Sequence, residues 1–243
     1  MNAWLRMSRR ECIMLTAAEV LGLPASRVKA EPQQEPRPRL TNADEALHDL
    51  LAGNQRFAIG KPATPRRSPK EFQTLAHGQF PEAVIVSCAD SRVAPEILFD
   101  VGVGDIFVVR VAGNVISGTG VAVTGSVEYA VAELNVPLIL VLGHSGCGAV
   151  KAAIKHIGDK DSLPGAINGL VDLLKPAVAR SKTMAGDPLE NAVRQNVEIG
   201  VEKLRGLEPV LAPRIKDGKL KVMGGLYDLR TGVVTMIGKG KPA

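Results

Sequence analysis

The stretch Ala83-Val84-Ile85-Val86-Ser87-Cys88-Ala89-Asp90-Ser91-Arg92 sets four apolar residues just ahead of a thiol, a carboxylate and a guanidinium at alternate positions. A short apolar run closed by a polar turn reads as a strand buried on both faces. Its carboxyl end is where the polar groups emerge. The pattern recurs in Asp105-Ile106-Phe107-Val108-Val109-Arg110-Val111, bounded by Gly102, Gly104 and Gly113. It recurs again in Pro137-Leu138-Ile139-Leu140-Val141-Leu142-Gly143, which ends in His144-Ser145-Gly146-Cys147-Gly148.

Around these runs the apolar spacing turns helical. Pro95-Glu96-Ile97-Leu98 makes a single turn, and residues 126–134, 149–154, 166–179 and 188–204 carry helical periods. Strands alternating with helices argue for a parallel sheet covered on both faces. Residues 220–227 and 233–237, joined through Thr231-Gly232, read as a terminal hairpin. The expected fold is therefore α/β, a mostly parallel sheet of about four strands plus an antiparallel edge strand, with helices on both faces and an N-terminal helical arm. That arm begins at Thr41-Asn42-Ala43-Asp44, where Thr41 precedes an acid by three residues as in a capping box. Ala46, Leu47, Leu50 and Leu51 share one face of it, and Gly53-Asn54-Gln55-Arg56-Phe57 is expected to close it. A basic, Pro-rich segment at 61–70 then leads to a second short helix ending near His77-Gly78-Gln79.

A length of 243 residues with 45% hydrophobic content suffices for one well-cored domain, placed at 41–243. Residues 1–40 differ from it. They hold seven of the 30 Lys/Arg and four of the 25 Asp/Glu, so the body carries a net charge of only +2. With eight aromatic residues in the chain, neither the basic face nor the stacking platform of a nucleic-acid binder is present. No run approaches the roughly 20 apolar residues of a membrane span. Ser8-Arg9-Arg10, the modestly apolar 12–23, the small residues around Val28-Lys29-Ala30 and four prolines up to Pro38 fit a twin-arginine export signal followed by a linker. Glu19 interrupts the apolar core and favours a basic arm on a cytoplasmic protein instead. Both readings stand, with periplasmic and cytoplasmic locations respectively.

In parallel sheets ligands collect at the carboxyl ends of strands. Cys88, Asp90, His144 and Cys147 all lie at or just after such ends, which offers zinc up to four ligands of types it accepts. Taken singly, Cys88 reads as core filler and His144 as a hydrogen-bonded histidine. His-x-x-Cys and Cys-x-Asp-x-Arg together point to a metal site, either closed or open at one position. Asp90 and Arg92 are spaced to form a bidentate ion pair. His48, His77 and His156 lack ligand-like neighbours and read as solvated. Three cysteines, with Cys12 far from the others and no Cys-x-x-Cys, make no disulfide framework or redox motif.

Cys88-Ala89-Asp90-Ser91-Arg92, followed by His144-Ser145-Gly146-Cys147-Gly148, resembles the β-class carbonic anhydrases. Gly78-Gln79-Phe80-Pro81, Gly104-Asp105-Ile106-Phe107-Val108-Val109-Arg110, Ala112-Gly113-Asn114, Glu128-Tyr129-Ala130-Val131 and Tyr227-Asp228-Leu229-Arg230-Thr231-Gly232 extend the likeness. The resemblance implies a zinc enzyme that hydrates carbon dioxide reversibly to bicarbonate, with Cys88, His144 and Cys147 as permanent ligands. It gives Asp90 and Arg92 the catalytic roles. Asp90 either pairs with Arg92, leaving water on the metal, or becomes a fourth ligand in a closed form. Gln79 takes the place of a substrate-binding glutamine, and Gly113 lies in a segment lining the site. A homodimer or homotetramer is expected. Where a plant-like branch carries a tyrosine, residues 121–125 here are small and mostly apolar, so no proton shuttle is assigned. Alternatives on the same ligands are a carbonyl sulfide or carbon disulfide hydrolase and a non-catalytic protein with a structural zinc.

Overall fold

Strand β1, Ala83–Ser87, is buried at all five positions, as a run with apolar residues on both sides of the pleat demands. A computed structural model describes it and its surroundings over residues 42–117, 121–159, 161 and 163–238. The export signal and linker read in residues 1–40 lie outside the described residues. Beside β1 run β2, Ile106–Arg110, on one side and β3, Leu138–His144, on the other. Then come β4, Lys221–Tyr227, and β5, Val234–Ile237, giving the order β2-β1-β3-β4-β5. The first four strands are parallel and β5 pairs antiparallel with β4. This is the mostly parallel sheet with an antiparallel edge that the sequence predicts.

The chain leaves β1 toward β2 and returns to the opposite side of β1 for β3, so the strand order reverses at β1. A crevice opens at such a reversal, beyond the carboxyl ends of the two adjacent strands. Ser87 at the end of β1 pairs with Arg110 on one side and Leu142 on the other. Whatever follows Ser87 therefore meets whatever follows Leu142.

Alternation along the strands sends side chains to two cores. Val84, Val86, Val109, Ile139, Val141 and Val222 face α4 (Val121–Ala132), α7 (Pro188–Arg205) and α8 (Leu211–Lys216). Ala83, Ile85, Leu138, Leu140 and Leu142 face α1 (Ala43–Ala58) and α3 (Pro95–Leu98). Ile85, Leu140 and Leu142 are fully buried, and each such side chain contributes roughly 1.5–3 kcal/mol on leaving water. A third cluster caps the carboxyl ends of the strands. There α5 (Gly148–Asp159) and α6 (Ile167–Ser181) pack Val150, Ala153, Val171 and Leu174 around Cys88 and Cys147, with Ala192 and Val193 of α7. The short α2, Pro69–Phe72, runs on into a 3-10 turn over Gln73–His77, completing the second short helix. Among the described residues no helix is long and apolar enough to cross a membrane.

Helix α1 departs from expectation at both ends. Its cap is Asn42, whose side chain accepts from the Asp44 N–H at 2.8 Å, and Thr41 lies outside the described residues. It runs on through the Gly53–Phe57 segment expected to close it and ends one residue later, at Ala58. Gly53 serves packing: a Cβ there would sit 1.8 Å from the Phe99 carbonyl oxygen, so only glycine lets α1 approach the end of α3. Asn54, 3% exposed, works inside the fold rather than as a helix stop. Its Nδ2 donates to the carbonyls of Leu98 (3.0 Å) and Gly232 (2.8 Å), while its Oδ1 accepts from the Val234 N–H (2.8 Å). Helix α8 escaped the sequence reading because Pro213 interrupts a six-residue segment, although near a helix start the missing N–H costs nothing.

Asn54→Leu strips all three backbone groups of their partner at once. With about 1–3 kcal/mol for a buried group left unpaired, the denaturant midpoint is expected to fall by the equivalent of at least ~2 kcal/mol, with the slope of the transition unchanged. Urea unfolding followed by circular dichroism checks this.

Candidate metal centre

Cys88 is the first residue after β1, His144 is the last of β3, and Cys147 immediately precedes α5. Because β1 and β3 are adjacent and parallel, their ends converge, and the turn at Ser145-Gly146 brings Cys147 back onto the same spot. The donor atoms of Cys88, His144 and Cys147 all lie within 4.8 Å of one another, and all three residues are buried. Gly146, at φ +63°, makes this turn in the left-handed region that suits glycine. Ser145 fastens it to β4, its N–H donating to the Tyr227 carbonyl (2.9 Å) and its Oγ accepting from the Leu229 N–H (2.9 Å).

His144 is fully buried, with Nδ1 3.0 Å from the Ser145 carbonyl oxygen. A carbonyl only accepts, so Nδ1 holds the proton and Nε2 presents a lone pair. That Nε2 is buried with no hydrogen-bond partner. An orphaned acceptor beside two thiols fits a metal ion that takes sulfur and imidazole nitrogen, and zinc is such an ion.

The sulfurs are unequal. Cys147 hydrogen-bonds to Cys88 and draws its pKa down to about 4; burial opposes this, and His144 and the N–H groups of Asp90 (3.4 Å) and Gly113 (3.2 Å) reinforce it. Cys147 is pushed up by the same hydrogen bond and then by burial, against the pull of the Val150 and Ala149 N–H groups at the start of α5. The pair thus holds one proton between its two sulfurs, and a bound cation would release it.

Asp90 and Arg92 form a fork. Arg92 Nε donates to Oδ1 (2.9 Å), Nη2 to Oδ2 (2.7 Å) and the backbone N–H to Oδ1 (3.0 Å). The guanidinium holds the Asp90 carboxyl well below the usual carboxylate range. Oδ2 stands 3.9 Å from His144 Nε2, beside the three-donor group and engaged by Arg92. Gly113 lies against the site, its N–H spent on Cys88 Sγ rather than left open to a ligand. Gln79 is exposed in the segment before β1, at the strand end opposite the cluster, and the structure does not bring it to the other site residues.

Sequence reasoning missed a role for Arg110. At the end of β2, its Nε donates to the Cys88 carbonyl (3.0 Å) and its Nη2 to the Asp90 carbonyl (2.7 Å). The available signal was an arginine closing an otherwise apolar strand. His48 and His77 are exposed as expected. His156 is instead partly buried and paired with Asp161 through Nδ1 at 2.7 Å.

A family model described as carbonic anhydrase matches residues 83–234, the span from the start of β1 to the start of β5. The chain belongs to the carbonic anhydrase family. It is similar to carbonic anhydrase 2 of Mycobacterium tuberculosis, at 43% identity over 192 residues, 79% of this chain and 91% of that protein. A carbonic anhydrase of Mycolicibacterium smegmatis is 38% identical over 196 residues, 81% of this chain and 94% of that one. Among solved structures, one of two tetrameric β-carbonic anhydrases from Sordaria macrospora superposes with a TM-score of 0.64 at 28% identity, covering 81% of this chain and 99% of that one. The class is therefore β, and the protein is a carbonic anhydrase by fold and by sequence.

In this carbonic anhydrase, Arg110→Ala is expected to leave the metal content intact while lowering kcat/KM about 10–100-fold, the usual cost of losing a group that orients a metal site from behind. Metal analysis alongside an activity assay checks it.

Proposed function

We propose that this enzyme interconverts carbon dioxide and bicarbonate with a zinc ion held by Cys88, His144 and Cys147, and with Asp90 as the group that orients the attacking water. The observation that carries the reading is the unpartnered Nε2 of His144, facing two sulfurs within 4.8 Å, with the Asp90 carboxylate alongside. When bound, zinc would act as a Lewis acid that lowers the pKa of a coordinated water toward about 7.

The chain's own residues do the rest. Asp90, kept ionised by Arg92, accepts a hydrogen bond from the attacking water and so turns its lone pair toward the carbon of carbon dioxide. A carboxylate held that far below its usual range accepts the hydrogen bond without keeping the proton. The proton released as bicarbonate forms therefore passes on to solvent and buffer. Val115, Val150 and Leu174, clustered with the two cysteines, give the site an apolar wall suited to a nonpolar substrate.

Asp90 occupied by Arg92 favours an open site over one closed by a fourth protein ligand, and so favours catalysis over a structural zinc. Gln79, at the far end of β1, serves substrate only from a second copy of the chain. The tetrameric state of the Sordaria macrospora relatives supports an even oligomer here.

Asp90→Asn and Arg92→Ala are expected to lower kcat/KM by about 10²-fold or more with one zinc per chain retained, whereas Cys147→Ser is expected to lose the zinc. Stopped-flow carbon dioxide hydration with zinc analysis measures both. Full activity in either of the first two variants sinks the role given to the Asp90–Arg92 pair.

A further inference from the structure

Gly113 sits in the 3-10 turn Ala112–Asn114 with φ +71°, a left-handed backbone. A Cβ there would lie 3.2 Å from Ala149 Cβ and 3.4 Å from a Leu174 methyl, so both conformation and space call for glycine. Its N–H donates to Cys88 Sγ. Yet glycine is the residue least able to hold its own peptide groups in place, and something else must aim that N–H. The group that grips it is Asn196, on α7 and only 6% exposed, whose Nδ2 donates to the Gly113 carbonyl at 2.7 Å. The same helix takes a second hold three residues on, where Lys203 Nζ donates to the Ile116 carbonyl at 2.8 Å. Only the first hold adjoins the sulfur.

We propose that Asn196 is a positioning residue of the metal centre: it locks Gly113 so that the Gly113 N–H stays on Cys88 Sγ, and thereby sets how much charge that sulfur gives to a bound metal. The inference rests on the reading that Cys88, His144 and Cys147 hold zinc. An N–H donated to a ligating thiolate draws electron density away from the sulfur–metal bond and leaves the metal a stronger Lewis acid. Loosening Gly113 returns that density. The activated water becomes less acidic, and the rising limb of the kcat/KM–pH profile moves to higher pH while its plateau remains.

The test uses the intact enzyme. With a spin-active cadmium isotope in place of zinc, the wild type is expected to show scalar coupling between cadmium and the Gly113 amide proton through Cys88 Sγ, and its absence overturns the proposal. Asn196→Leu is expected to weaken that coupling and to shift the pH limb upward, with the metal retained. Asn196→Asp, which puts an acceptor where the donor was, takes its place should the leucine variant not fold. Lys203→Met removes a comparable hold on the same segment and is expected to move none of these readouts. The proposal fails if the Asn196 variants leave coupling and pH limb unchanged, or if Lys203→Met shifts them equally. A wild type without zinc or without carbon dioxide hydration would defeat the earlier reading. A wild type with both, beside unmoved Asn196 variants, defeats this one alone.

Discussion

The parallel pairing of β1 with β3 is the constraint on which the rest depends. Neighbouring strands lie about 4.8 Å apart, and parallel strands end on the same edge of the sheet. Cys88 and His144 are 56 positions apart in the chain, yet each is carried to that edge by an apolar strand with no freedom in register. A shift of one residue in either strand would exchange the side chains that face the two cores, so two hydrophobic cores police the placement of Cys88 and His144. Cys147 then needs only the short turn through Gly146 to join them.

Electrostatics explains why so much backbone converges on one loop. The sulfurs of Cys88 and Cys147, with one proton between them, and the carboxylate of Asp90 place two negative charges at a largely buried point. Leaving such charges without partners is costly. Each has its own source of relief: the Asp90 and Gly113 N–H groups for Cys88, the first turn of α5 for Cys147, and the Arg92 fork for Asp90. A metal ion, which this cluster could hold, would complete the arrangement rather than create it.

The fold was legible because its strands are continuous apolar runs and its helices keep a clean period, so local pattern and global layering agree. What failed was punctuation. Gly53 and Asn54 look like a helix stop, but their glycine and amide are used for a close crossing and for tying α1 to Leu98, Gly232 and Val234, partners up to 180 positions away that no local rule contains. The three donors were legible for the same reason as the strands, since each marks a strand end or a helix start. Arg110 and Asn196 were not, because each acts on a backbone carbonyl of another element, and such a bond leaves no trace in residue type or spacing.

The state of Asp90 turns on how these contacts are divided. Its backbone is held three times, through its N–H to Cys88 Sγ and its carbonyl to the Val93 N–H and to Arg110, none of which involves the carboxylate. Among the described residues its carboxylate accepts from Arg92 alone, from the backbone N–H and from a guanidinium whose side chain is 57% exposed, so water and salt screen the fork. Turning the carboxylate further toward His144 Nε2, 3.9 Å away, therefore asks for a side-chain rotation and the loss of the Arg92 fork together with the Arg92 N–H bond, while the backbone bonds stay in place. The carboxylate is thus held from the surface, at Arg92, while the placement of Cys88, His144 and Cys147 is set in the core. That separation lets the hold on the carboxylate change without disturbing the packing that places the three donor residues.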